Sequence, residues 1–117
     1  MRELNSNALE ERATKEPNNS EAFYTITVYC WDEVYRDVRL KNAQKKELIH
    51  KGVDAVDRAL QLKPNYMEAL VYKSLLLRLE ANMEKDPSRQ QALIKQADQL
   101  RDRAQDLRKQ KAAGAGN

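Results

Sequence analysis

The amino-acid sequence predicts an all-α protein, and three observations carry that prediction. The first is vocabulary: Leu, Ala, Lys, Glu, Gln and Arg dominate 117 residues that hold only three Gly, three Pro and one Phe, and these common side chains lose little rotamer freedom in a helix. The second is periodicity, because apolar residues recur at three- and four-residue intervals through most of the chain. The third is a repeat. "PNNSEAF" from Pro17 and "PNYMEAL" from Pro64 share Pro-Asn-x-x-Glu-Ala ahead of an apolar run, 47 residues apart. "LIHKGVDAVDRALQL" from Leu48 returns 45 residues later as "LIKQADQLRDRAQDL" from Leu93. Two half-matches in the same order, at nearly equal spacing, describe one helix pair written twice.

A short first helix is expected over Leu4 to Lys15, with Leu4, Ala8, Leu9 and Ala13 on its apolar side and a stop before Pro17. Asn18 with Glu21, and Asn65 with Glu68, have the three-residue spacing of a capping box, so both copies should open a helix in the same way. The helix entered near Asn19 runs to about Arg36. Its β-branched and aromatic residues would also suit a strand, but alternation breaks at "YCWDEVY" and the matching stretch "EALVYKSLLLRLEANMEK" is plainly helical. After "DVRLKN", a helix from about Ala43 to Leu62 carries Leu48, Ile49, Gly52, Val53, Val56, Ala59 and Leu60 on its apolar side. The next helix follows Asn65 and should reach about Lys85. Asp86 then caps a last helix that starts at Pro87, where the missing N–H costs nothing, and buries Leu93, Ile94, Ala97, Leu100, Ala104 and Leu107 before ending near Lys109.

The organisation is therefore a leading helix of a partial repeat (1–16), a first repeat (17–63), a second repeat with a polar capping helix (64–110) and a flexible tail (111–117). The unit resembles the tetratricopeptide repeat. The resemblance rests on Pro17 and Pro64 at the unit boundaries, on Glu21-Ala22-Phe23 and Glu68-Ala69-Leu70 opening the first helices, and on small Gly52 and Ala59 in the second helix. The repeat here is longer than the family's usual unit of about 34 residues. It implies a right-handed α-solenoid of about five helices that binds a peptide or protein segment along the first helix of each unit. Carried over by position, that face holds Tyr24, Val28, Trp31 and Asp32 in the first copy and Val71, Leu75, Arg78 and Leu79 in the second. Members that hold a peptide's terminal carboxylate use Lys and Asn where this chain has Tyr24, Val28, Val71 and Leu75, so the resemblance implies an apolar and aromatic groove instead.

The composition argues against several other functions. One His, one Cys and three Gly, two of them near the end, leave no nucleophile with its base, no ligand cluster and no phosphate-cradling loop, so neither catalysis nor a cofactor is expected. Cys30 lies in an apolar run as a small hydrophobe and has no partner for a disulfide. "MRELNSNALEER" is not a signal sequence, and "FYTITVYCW" is far shorter than the roughly 20 residues a bilayer needs. The sequence thus points away from a membrane and towards a cytoplasmic protein. Net charge is −4 over residues 1–37 and +4 over 85–117, which favours end-to-end self-association as the competing role. Basic stretches such as "RDRAQDLRKQK" are interspersed with acids and lack aromatics, which speaks against nucleic acid as the partner.

Overall fold

Five helices follow one another in the computed structural model, which describes residues 2–115 and, of their side chains, those of residues 7–114. They are α1 (Arg2–Lys15), α2 (Ser20–Arg36), α3 (Asn42–Leu62), α4 (Met67–Met83) and α5 (Pro87–Ala115). Among the described residues there is no strand, so the β-rich stretch of α2 is helical throughout. α5 continues past the expected end near Lys109 through most of the stretch read as a tail, whose Gly116 and Asn117 lie outside the described residues. Leu4, expected on the apolar side of α1, lies outside the described side chains.

The helices pack as two hairpins. α2 lies along α3 and α4 along α5; α4 also nests against both α3 and α2, and α1 packs on α2. The molecule is 22 Å thick in its shortest dimension, about two helix diameters. Three contacts made by the first hairpin have counterparts in the second. The buried Thr27 hydroxyl donates to the Gly52 carbonyl (3.0 Å), and the buried Ser74 hydroxyl donates to the Ala97 carbonyl (2.8 Å). Arg58 reaches back to the Pro17 carbonyl (3.3 Å), and Arg103 to the Asn65 side-chain oxygen (2.6 Å). Each unit also opens on a tight turn, closed by Asn19 N–H to the Glu16 carbonyl and by Tyr66 N–H to the Lys63 carbonyl.

Close helix approach explains the small residues. Ala22, Ala59, Ala69 and Ala97 have no exposed surface. A β-carbon added at Gly52 would lie 2.9 Å from a Leu76 methyl and 3.1 Å from the Cys30 β-carbon, so glycine is what lets α3 approach both α2 and α4 here. Leu76 fills the junction with Val34 and Ile49. Among the described side chains of α5 only Ala97 and Ala104 are buried; Leu93, Ile94, Leu100 and Leu107 are half-exposed. The expectation that all six are buried fails because α5 is covered by α4 alone, whereas α3 is held between α2 and α4.

The helix entrances also differ from the capping boxes read in the sequence. Asn19, not Asn18, caps α2, accepting the Glu21 N–H at 3.0 Å. α4 begins after Tyr66 with no side-chain cap, because Asn65 is one residue too early and holds Arg103 instead. Asp86 does accept the Ser88 N–H (3.2 Å) at the start of α5, and Gln90 donates to the Ala81 carbonyl at the end of α4 (2.8 Å).

Candidate functional site

Helical spacing places Tyr24, Val28, Trp31 and Tyr35 on one stripe of α2. Three of those four are aromatic, and two tyrosines of the second unit complete a continuous row of five rings. Tyr66, at the entrance of α4, meets Tyr24 with ring centroids 5.0 Å apart and planes inclined by 41°. Tyr72, on α4, stands edge-on to Tyr24 at 5.7 Å and 82° and edge-on to Trp31 at 5.8 Å and 89°. Tyr35 stacks on Trp31 at 4.8 Å and 14°. The Trp31–Tyr35 stack and the two edge-on pairs of Tyr72 are arrangements that the ring quadrupole favours, worth about 0.5–1.5 kcal/mol per pair beyond burial.

The row is graded in exposure. Tyr66 is buried, Tyr24, Trp31 and Tyr72 are half-buried, and Tyr35 is 67% exposed. Just beyond it, Val38 is 88% exposed in the α2–α3 connection. Burial pushes the Tyr66 hydroxyl up to about 12 and raises Tyr24 in the same direction, with Glu68 adding to both. Lys63 already sets its ammonium 4.5 Å from the centre of the Tyr66 ring.

Tyr24 and Trp31 are brought together through Tyr72, and Val28 lies half-buried between them on the same face. Val71 and Leu75 are half-buried on α4. Leu79 packs, with Trp31, against the Val34–Ile49–Leu76 cluster. Two residues are committed elsewhere. Asp32 pairs with Arg36 within its own helix (3.1 Å), and Arg78 reaches α5 to bind Asp98 (2.8 Å), which holds that carboxyl below its usual range. Sequence reasoning missed Tyr35, Tyr66 and Tyr72. Tyr35 follows Trp31 by four residues, so periodicity could have found it. Tyr72 and Tyr66 stand where the first copy has Thr25 and Asn19, so the repeat itself carried no aromatic signal there.

Two clefts open on the surface, and only the second touches a ring of the row, Tyr66. One of about 380 Å³ is lined by Lys46, Ile49, His50, Met83 and Arg89. The other, of about 590 Å³, opens near Tyr66, Glu68 and Leu107. Among the described residues no His, Cys, Asp or Glu side chains group as a metal site, and no helix is long and apolar enough to cross a membrane. Cys30 is buried, and desolvation raises its thiol to about 11, which suits a packing role over a reactive one. Comparison with protein-family models, with curated proteins and with solved structures gives no match.

Proposed function

We propose that the chain is a non-enzymatic binding module of the tetratricopeptide kind, which holds a peptide or a partner-protein segment against the α2–α4 face. The observation that carries this reading is the five-ring row. Aromatic side chains offer large contact areas at small entropic cost, which is why they dominate binding hot spots. Here the row runs unbroken from a buried anchor at Tyr66 to an exposed end at Tyr35. A rigid row on two helices also orders little on binding, so less of the contact energy is lost.

End-to-end self-association, the competing role, finds less support. The α3 face that receives α4 presents Val53, Val56 and Leu60, whereas the corresponding positions of α5 are Asp98, Arg101 and Gln105. A further unit stacked there would have to desolvate charge.

Selection of a displayed peptide library tests the binding reading. The wild type is expected to enrich a defined set of peptides that a Trp31→Ala, Leu75→Glu double variant, shown by circular dichroism to be folded, fails to retain. Equal enrichment by both proteins would place binding elsewhere.

A further inference from the structure

α1 and α3 hold equivalent places in the repeat. α1 precedes Pro17 as α3 precedes Pro64, and it stands on α2 as α3 stands on α4. Their packing differs. α3 buries Ala55, Val56 and Ala59, whereas the matching residues of α1, 47 positions earlier, are exposed Ala8, half-buried Leu9 and the charged Arg12. Among the described side chains of α1 only Ala13 is buried. An isolated helix of 14 residues is marginal in water, and so small an apolar contact adds little to hold it in place.

Charge supplies the remaining ties. The Lys51 ammonium donates to Glu10 at 2.7 Å, which joins α1 to α3, and Arg12 donates to Glu21 at 2.9 Å, which joins it to α2. All four side chains are open to solvent, so both ties weaken as salt screens them. The hairpin behind α1 is closed by other means. It rests on the buried Thr27–Gly52 hydrogen bond and on Ile49 and Val56, neither of which has exposed surface.

What α1 covers is apolar. Ala13 shares a cluster with Ala22, Ile26 and Cys30 of α2 and Ala55 of α3, and Tyr29 packs at its margin. The Cys30 thiol, raised by burial, also feels the charges of Lys51 and Glu10, so that ion pair stands close to it. On α4 the counterparts of Ala22 and Tyr29 are Ala69 and Leu76, which pack with α3. The surface beneath α1 is therefore built to carry a helix.

We propose that α1 is a charge-held strap. As ionic strength rises it lifts from α2 and α3 as a unit, leaves both hairpins folded, and bares the apolar seat around Ile26 and Cys30. Release is local because the ties that salt weakens belong to α1, whereas the packing that closes the hairpins is buried.

Cys30 is the chain's one cysteine, so its reaction with a maleimide reports on the opening. The full chain is labelled at about pH 8, close to the pKa of a free thiol. The rate should rise about fivefold between low salt and about 1 M, where the screening length falls to about 3 Å. Lys51→Gln should quicken low-salt labelling about threefold, as loss of one exposed ion pair does, while Arg101→Gln, whose pair lies on α5, should leave the rate unchanged. Hydrogen exchange read by mass spectrometry supplies the second measurement. Protection of residues 7–15 should fall with salt in step with labelling, while α2 to α5 keep theirs. A labelling rate that ignores salt, protection lost equally in α4 and α5, or a Lys51→Gln variant that labels like the wild type each overturns the proposal.

Discussion

The two hairpins are built alike inside and differ outside. Within each, a hydroxyl on the first helix bonds a carbonyl where the second helix carries a small residue, Thr27 to Gly52 and Ser74 to Ala97, and an arginine reaches back to the opening turn. On the far side the resemblance stops. α3 turns Val53, Val56 and Leu60 towards α4, whereas α5 carries Asp98, Arg101 and Gln105 at the same places and holds Arg78 through Asp98. The lesson is that the hairpin and the stack are specified by separate residues. Small and hydroxyl-bearing positions close the pair, and the outer face of the second helix decides whether another unit can follow.

Moving the outer face of one hairpin onto the other should break the comparison most severely. Asp98→Val with Arg101→Val and Gln105→Leu gives α5 the face of α3, and sedimentation of this variant should show mass rising with concentration while the wild type does not. A constant mass would mean that these side chains do not limit stacking.

The junction between the hairpins comes next. Leu76 is fully buried there, while its counterpart in the first unit, Tyr29, is half-buried near α1. Urea unfolding of Leu76→Ala should lose about 3–4 kcal/mol, and Tyr29→Ala about half as much. Equal losses would show that the leading helix is as tightly packed as the second hairpin.

A smaller difference concerns pH. Tyr66 stands at the entrance of α4 where the first unit has Asn19, and burial raises its hydroxyl from 10.0 to about 12. Folding therefore keeps the proton that the unfolded chain releases. The stability is fully present below pH 10 and is lost as pH rises towards 12, by roughly 2 kcal/mol. Thermal melts from pH 9 to 12 should show this decline in the wild type and a shallower one in Tyr66→Phe.

The smallest effect tests the likeness itself. Thr27→Val and Ser74→Ala each remove one buried hydrogen bond and should each cost about 1 kcal/mol. The sites are in different hairpins, so the double variant should lose close to the sum. Strong coupling in that cycle would mean that the hairpins do not close independently.

Much of this was legible in the chain. The helices and their order follow from local propensity and period, and only their ends shift: α5 runs on to Ala115, and α2 is capped by Asn19 where Asn18 had the better spacing. Tyr24 and Trp31 were found because a repeat projects one face of α2 onto one face of α4. Tyr72 was not, since it belongs to the side of α4 that turns towards α2, and its first-copy counterpart Thr25 has no aromatic ring to betray it. Arg78 was read as groove surface although it bonds Asp98, a residue twenty positions away in the chain.

Taken alone, the sequence determined that the chain is helical, that one hairpin is written twice, and where small residues must let helices approach, because each of these depends on neighbours within a turn or on a fixed spacing. Only the tertiary structure decided that Tyr72 comes to rest between Tyr24 and Trp31 and that Asn65 serves Arg103 and not its own helix. Those outcomes depend on how far α4 rotates as it settles against α2 and α3, and that rotation is set by close packing around Gly52 and Leu76. No single segment contains it.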